Sequence, residues 1–147
     1  MRPFVALALM MTVSGSAYAS EPLQAIVQSY LAIQSQLASD KFDAVKVPAR
    51  AIAVQAAAMG QNGVPIAEAA AKLEAAADIN AARDAFGALT DAVMAAGKAE
   101  GWKDVEGVRL AFCPMVNRSW LQKEDKIRNP YYGSTMLECG QFKEKTK

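Results

Sequence analysis

Between Ser20 and Glu100 the apolar residues recur every three or four positions in four successive stretches, the period of an amphipathic helix. Pro22 suits a first helical position, and Leu23, Ile26, Val27, Tyr30, Leu31 and Leu37 follow at that spacing. Ser39 or Asp40 is the expected cap of a second helix, with Val45, Ala49, Ile52, Ala56 and Met59 on its inner face. Pro48 falls within it and predicts either a kink there or a start near Val47. Gly60-Gln61-Asn62-Gly63 reads as a loop. A third helix opens at Pro65 and turns Ile66, Ala69, Ala70 and Leu73 inward. Asp78 caps a fourth, striped by Ile79, Ala82, Phe86, Leu89, Val93 and Ala96. Four such helices joined by short loops predict a mainly α fold, an antiparallel bundle whose alanines let the axes approach closely.

The composition changes at Gly101. Alanine is reduced to Ala111, while Trp102, Trp120, Tyr131, Tyr132 and both cysteines appear. Val108–Phe112 alternates weakly and predicts a short strand. Ser119–Gln122 and Ile127-Arg128 flank an expected turn at Lys123–Lys126, and Asn129-Pro130 is expected to open a helical turn running through Met136 to Gly140. Residues 101–147 are therefore expected to form a small irregular or short-strand cap packed on the bundle.

Two of the chain's methionines lie beside its only cysteines, in Cys113-Pro114-Met115 and in Met136-Leu137-Glu138-Cys139. In an extended segment residues two apart point the same way, and in a helical turn residues three apart share a face. Each cysteine thus has a methionine on its own expected side. Brought together, Cys113, Met115, Met136 and Cys139 make a set of two thiolates and two thioethers, soft donors that favour Cu(I) over Mg, Ca or Mn. The same cysteines also suit a disulfide, because exported proteins occupy oxidising compartments. Both readings stay open, and both require the two cysteines to be close in space.

Export is itself legible. Met1-Arg2-Pro3, an apolar run from Phe4 to Val13 and Ala17-Tyr18-Ala19 have the order of a secretory signal, so residues 1–19 are expected to be removed. The apolar run is shorter than the roughly 20 residues needed to span a bilayer. What remains, residues 20–147, carries 15 basic and 15 acidic residues and is long enough for one domain. That balance lacks the clustered basic face of a nucleic-acid binder. The chain has no histidine. Ser-His-Asp and Cys-His catalytic sets, His-ligated metals and c-type haem attachment are thereby excluded.

The elements Cys113-Pro114-Met115, Trp120-Leu121, Ile127-Arg128-Asn129-Pro130-Tyr131-Tyr132-Gly133 and Met136-Leu137-x-Cys139-Gly140 resemble an uncharacterised family of bacterial periplasmic domains. These domains occur alone or attached to the adaptor subunits of copper/silver-type efflux systems. Tyr30–Gln34 and the Ala-rich helices are similar to the family's helical part, so the resemblance spans nearly all of residues 20–147. It implies a capped helical bundle, a periplasmic setting in heavy-metal handling, and a metal-efflux or metal-trafficking partner. The link Val116–Ser119 is shorter than the family's usual insertion. Trp120, Arg128, Asn129 and Tyr131 are candidates for a supporting shell or a partner contact, the alternative being loop hydrogen bonds and packing. With no Cys-x-x-Cys motif the chain is expected to bind rather than catalyse.

Overall fold

The computed structural model describes residues 19–101 and 107–143; the expected signal segment up to residue 18, and Trp102, lie outside them. Four helices follow in order, α1 (Glu21–Ala38), α2 (Lys46–Ala57), α3 (Val64–Glu74) and α4 (Ile79–Ala99). Each packs on its successor, as short connections dictate. The inward stripes largely follow the apolar period: Leu23, Ile26, Val27, Tyr30 and Leu37 from α1, Ala49, Ile52 and Ala56 from α2, Ile66, Ala69, Ala70 and Leu73 from α3, and Ala82, Phe86, Leu89 and Val93 from α4. Ile33, however, is buried in place of the expected Leu31, Ile79 is only partly covered, and Met59 lies beyond the end of α2, partly covered. Asp78 caps α4 through its Oδ1, which accepts from the Ala81 N–H at 2.9 Å.

The junction of α1 and α2 departs from expectation. Neither Ser39 nor Asp40 caps α2. Asp40 instead closes α1 in the left-handed region, φ 57°. Its N–H donates to the Leu37 carbonyl and the Lys41 N–H to that of Gln36, the paired bonds of a helix terminus that glycine usually makes. Aspartate tolerates this backbone, and its carboxylate is then free to work elsewhere. A short 3-10 turn (Asp43–Val45) leads directly into α2, so Pro48 sits in the first helical turn, where its missing N–H costs no bond.

The tail forms a three-stranded antiparallel sheet of β1 (Arg109–Cys113), β2 (Arg118–Gln122) and β3 (Gln141–Phe142), ordered β2-β1-β3. Ala111 and Cys113 point inward on β1 while Leu110 and Phe112 are partly covered. The edge strand β2 lies against both α1 and α4. Its contact is built around Tyr30. Thr90 donates to the Phe86 carbonyl, Tyr30 donates to Thr90 Oγ1 at 2.7 Å, and the Leu121 N–H donates to the Tyr30 oxygen at 3.2 Å. Burial holds the Tyr30 hydroxyl well above its usual pKa, so it remains a donor. Tyr30 stacks on Phe86 at 4.8 Å, Phe86 meets Tyr131 at 5.8 Å, and Tyr131 meets Trp120 at 6.0 Å. One hydrophobic core therefore runs from α1 through to the sheet.

The expected helical turn from Asn129 to Met136 shrinks to a 3-10 turn at Gly133–Thr135. Asp40 is the reason the chain bends there. Its Oδ2 accepts from the Ser134 N–H at 2.9 Å, and Oδ1 takes the Arg83 guanidinium at 2.6 Å. Arg83 also donates to the Pro130 carbonyl at 2.9 Å. Gly133, at φ 56°, is needed because any Cβ would run into Asp40 and Arg83.

Candidate functional site

Antiparallel pairing of β1 with β3 joins Ala111 to Phe142 and Phe112 to Gln141. One further step in that register sets Cys113 beside Gly140, so Cys139 lies diagonally across from it, within reach of a side chain. The two sulfurs, Cys113 Sγ and Cys139 Sγ, are 2.9 Å apart, and both are thiols. Their closeness is what the sequence required of either reading.

The pair is asymmetric. Cys113 is fully buried, with 0% of its surface exposed. Cys139 is only half-buried, on the turn before β3. Burial pushes the Cys113 thiol up, but hydrogen bonds from Cys139, from the N–H groups of Val116 and Met115 and from the Asn129 side chain outweigh it. Its pKa falls below the usual value. Cys139 moves the opposite way, raised chiefly by its hydrogen bond to Cys113. The chain turns sharply after β1 to supply those N–H groups, and Asn117, at φ 52°, completes the four-residue loop back to β2.

Asn129 ties the site to the tail. It is fully buried, donates from Nδ2 to the Cys139 carbonyl at 2.7 Å, and accepts from the Tyr131 N–H at 2.8 Å. Its N–H donates to the Leu137 carbonyl at 2.7 Å. Of the four supporting candidates, it is the one whose side chain bonds directly to a site cysteine, at the Cys139 carbonyl. Trp120 is buried with Nε1 donating to Gln122 at 2.8 Å, and its ring edge packs on Gly140, where a Cβ would stand 2.8 Å from it. It lies beside the site through one backbone unit. Arg128 donates to Ser39 Oγ at 2.9 Å, and Tyr131 donates to the Ser119 carbonyl at 2.7 Å. Those two hold the cap to the bundle and the loop to the sheet.

The methionines are placed differently from their expected geometry. β1 ends at Cys113, so Met115 lies in the hairpin loop, 66% exposed, and does not share the inward side of Cys113. Met136 is half-buried, and Met136–Cys139 is a turn closed by the Cys139 N–H on the Met136 carbonyl at 3.1 Å, not a helical face. Among the described residues no three His, Cys, Asp or Glu side chains gather around one point. A soft metal here has sulfur alone to hold it.

Gln122 is a buried side chain that periodicity did not single out. Its Oε1 accepts from Trp120 Nε1 and the Arg128 N–H, and its Nε2 donates to the carbonyls of Glu124 and Lys126. All its hydrogen-bonding capacity is used, which fixes the loop leading to Asn129. Compared with known proteins, the chain matches no family model, no curated protein and no solved structure.

Proposed function

We propose that this is an exported, periplasmic heavy-metal accessory protein that binds Cu(I) through Cys113 and Cys139, with Met115 and Met136 as thioether donors. The observation that carries the reading is the sulfur pair itself, two thiols at 2.9 Å with one held in a cradle of N–H donors. Such donors favour a thiolate, the form in which cysteine binds metal. The donor set suits a soft cation, and the absence of histidine leaves no competing imidazole. Two sulfurs that share one metal at about 2.3 Å in tetrahedral geometry stand about 3.8 Å apart, so the pair must open by about 0.9 Å. Cys139, on a half-exposed turn, is the sulfur free to move. Met115 offers a thioether at the surface. The resemblance of the tail motifs to periplasmic domains of copper/silver efflux systems points to the same chemistry and to a metal-efflux or metal-trafficking partner. In this role the protein binds the metal and delivers it.

Anaerobic Cu(I) titration of the reduced protein against a competing chelator tests the reading. One Cu(I) is expected to bind, and Cys113→Ser or Cys139→Ser is expected to abolish it. Exchanging Met115 and Met136 for Leu is expected to weaken it with little change in stability, since the volumes are similar. Equal binding by the double leucine variant removes the thioethers from the site, and no binding by the reduced parent overturns the reading.

The same separation favours a second reading, a periplasmic interaction module stapled by a Cys113–Cys139 disulfide. Closing 2.9 Å to a bond of about 2.05 Å also takes a shift of about 0.9 Å. Intact mass of protein from the periplasm, before and after reduction, separates the two by the two hydrogens a disulfide lacks.

A further inference from the structure

The sulfur pair presents one face to the outside. Cys113 is sealed in the core, beneath the Pro114–Asn117 loop that wraps its Sγ in N–H donors, while Cys139 lies on the turn before β3 with part of its surface in solvent. A molecule approaching from solution therefore meets Cys139, with Cys113 2.9 Å behind it. We propose that the pair is a redox gate with a fixed order of attack, Cys139 being the sulfur that exchanges with external disulfides and thiols and Cys113 the sulfur that closes the bond or leaves it. This rests on the reading of the pair as the functional centre.

The oxidising direction takes two steps. Cys139, having first given up its proton to solvent, attacks one sulfur of an external disulfide as a thiolate, forming a mixed disulfide and expelling one thiolate. Cys113 Sγ, already in contact, then attacks Cys139 Sγ, forming the Cys113–Cys139 bond and expelling the second thiolate. Two electrons pass from the cysteines to the external disulfide, which becomes two thiols. The thiol protons of the pair balance the two thiolates released. In the reducing direction an external thiolate can reach only Cys139, so Cys113 is the leaving sulfur, and the N–H groups of Met115 and Val116 receive its charge. A second external thiolate then displaces the first from Cys139. The oxidised pair has no thiolate to offer a metal, so this exchange switches the site's capacity to bind Cu(I) off and on. Asn129 keeps the geometry in register, since its buried amide donates to the Cys139 carbonyl.

The order is tested on reduced, metal-free protein, so that it is read separately from Cu(I) binding. With oxidised glutathione, the parent is expected to lose two hydrogens without accumulating an adduct. Cys113→Ser is expected to accumulate a glutathione adduct at Cys139. Cys139→Ser is expected to react at least roughly tenfold more slowly until denaturant exposes Cys113. Because Cys113→Ser alters a core position, a brief iodoacetamide pulse on the parent followed by peptide mapping gives an independent measure, with Cys139 expected to be labelled first. A Cys139→Ser protein that reacts as fast as Cys113→Ser, first labelling of Cys113, or a lasting adduct on the parent overturns the order, whatever the Cu(I) titration shows.

Discussion

Removing one oxygen tests whether the tail and the bundle share a core. In Tyr30→Phe the ring stays, with its stack on Phe86, so apolar burial is nearly unchanged. What is lost is the hydroxyl that joins three elements. β2 is an edge strand, and the Leu121 N–H that donates to Tyr30 is buried against α1. Without the acceptor that N–H is left unpaired, at a cost of about 1–3 kcal/mol. Thr90 loses less, because its own proton already goes to the Phe86 carbonyl. The expected destabilisation is therefore about 2 kcal/mol, which for a chain of this size lowers Tm by roughly 6–10 °C. Urea unfolding followed by far-UV circular dichroism reads it, with the midpoint falling and the slope unchanged. Thr90→Val and the double variant complete a cycle, and a coupling of at least about 0.5 kcal/mol is expected for groups in direct contact. A loss below about 0.5 kcal/mol would mean that the Leu121 N–H finds another acceptor and that the bridge does not join the sheet to the helices.

Phe86→Ala is expected to cost about 3–5 kcal/mol in the same assay, since its ring lies between those of Tyr30 and Tyr131; a change under 1 kcal/mol would place it outside the core. Gly133→Ala is expected to destabilise by at least about 1–2 kcal/mol, from the left-handed backbone alone, and to loosen the Asp40–Arg83 contact, visible as faster amide exchange at Ser134. Hydrogen bonds from Ser134 and Arg83 hold the Asp40 carboxyl below its usual pKa. A depressed folded pKa adds stability above the unfolded value of about 3.9, and that stability is lost as pH falls through the lower folded value. Acid unfolding followed by circular dichroism is thus expected to lose this contribution below about pH 4 in the parent and to show no such component in Asp40→Asn.

The bundle was legible because each helix carries its own local signals: the Asp78 cap, the prolines of α1 and α3, and the glycines between α2 and α3 all act over one turn. The failures are places where a local signal has two physical meanings. Ser39-Asp40 lies between two helices, and an aspartate serves either as the cap of the second or in the left-handed end of the first. Only partners distant in sequence, Arg83 and the Ser134 N–H, decide the matter. Spacing of three in Met136–Cys139 suits a helical turn and a reverse turn equally, and the short antiparallel β3 beyond it selects the second. Cys113 and Met115 alternate only while the chain stays extended, which Pro114 ends. β3 itself, two residues long, has no period to detect. The nearness of Cys113 and Cys139 was legible for another reason, since one compact cap with only two cysteines leaves them few alternatives.

Because Cys113 belongs to the same core as Phe86 and Leu23, whatever occupies the sulfurs acts on the helices as well. The two candidate occupants act through different states of the chain. A disulfide restricts the unfolded chain, and a loop of about 27 residues implies about 3.5 kcal/mol in the chain-entropy model, independent of any concentration. A bound metal stabilises only the folded pair, by about 2.7 kcal/mol at a hundredfold excess over its dissociation constant, and the gain grows with the logarithm of free metal. Helix melting by circular dichroism in buffered Cu(I) therefore separates them. For reduced protein the helix Tm is expected to climb steadily with free Cu(I), while for oxidised protein it is expected to be higher than in the reduced, metal-free state and indifferent to Cu(I). Tryptophan emission, which includes Trp120 beside Gly140, is expected to follow the same transition. If the emission shifts with occupancy while the helix Tm stays fixed, the cap unfolds by itself and the single continuous core is refuted.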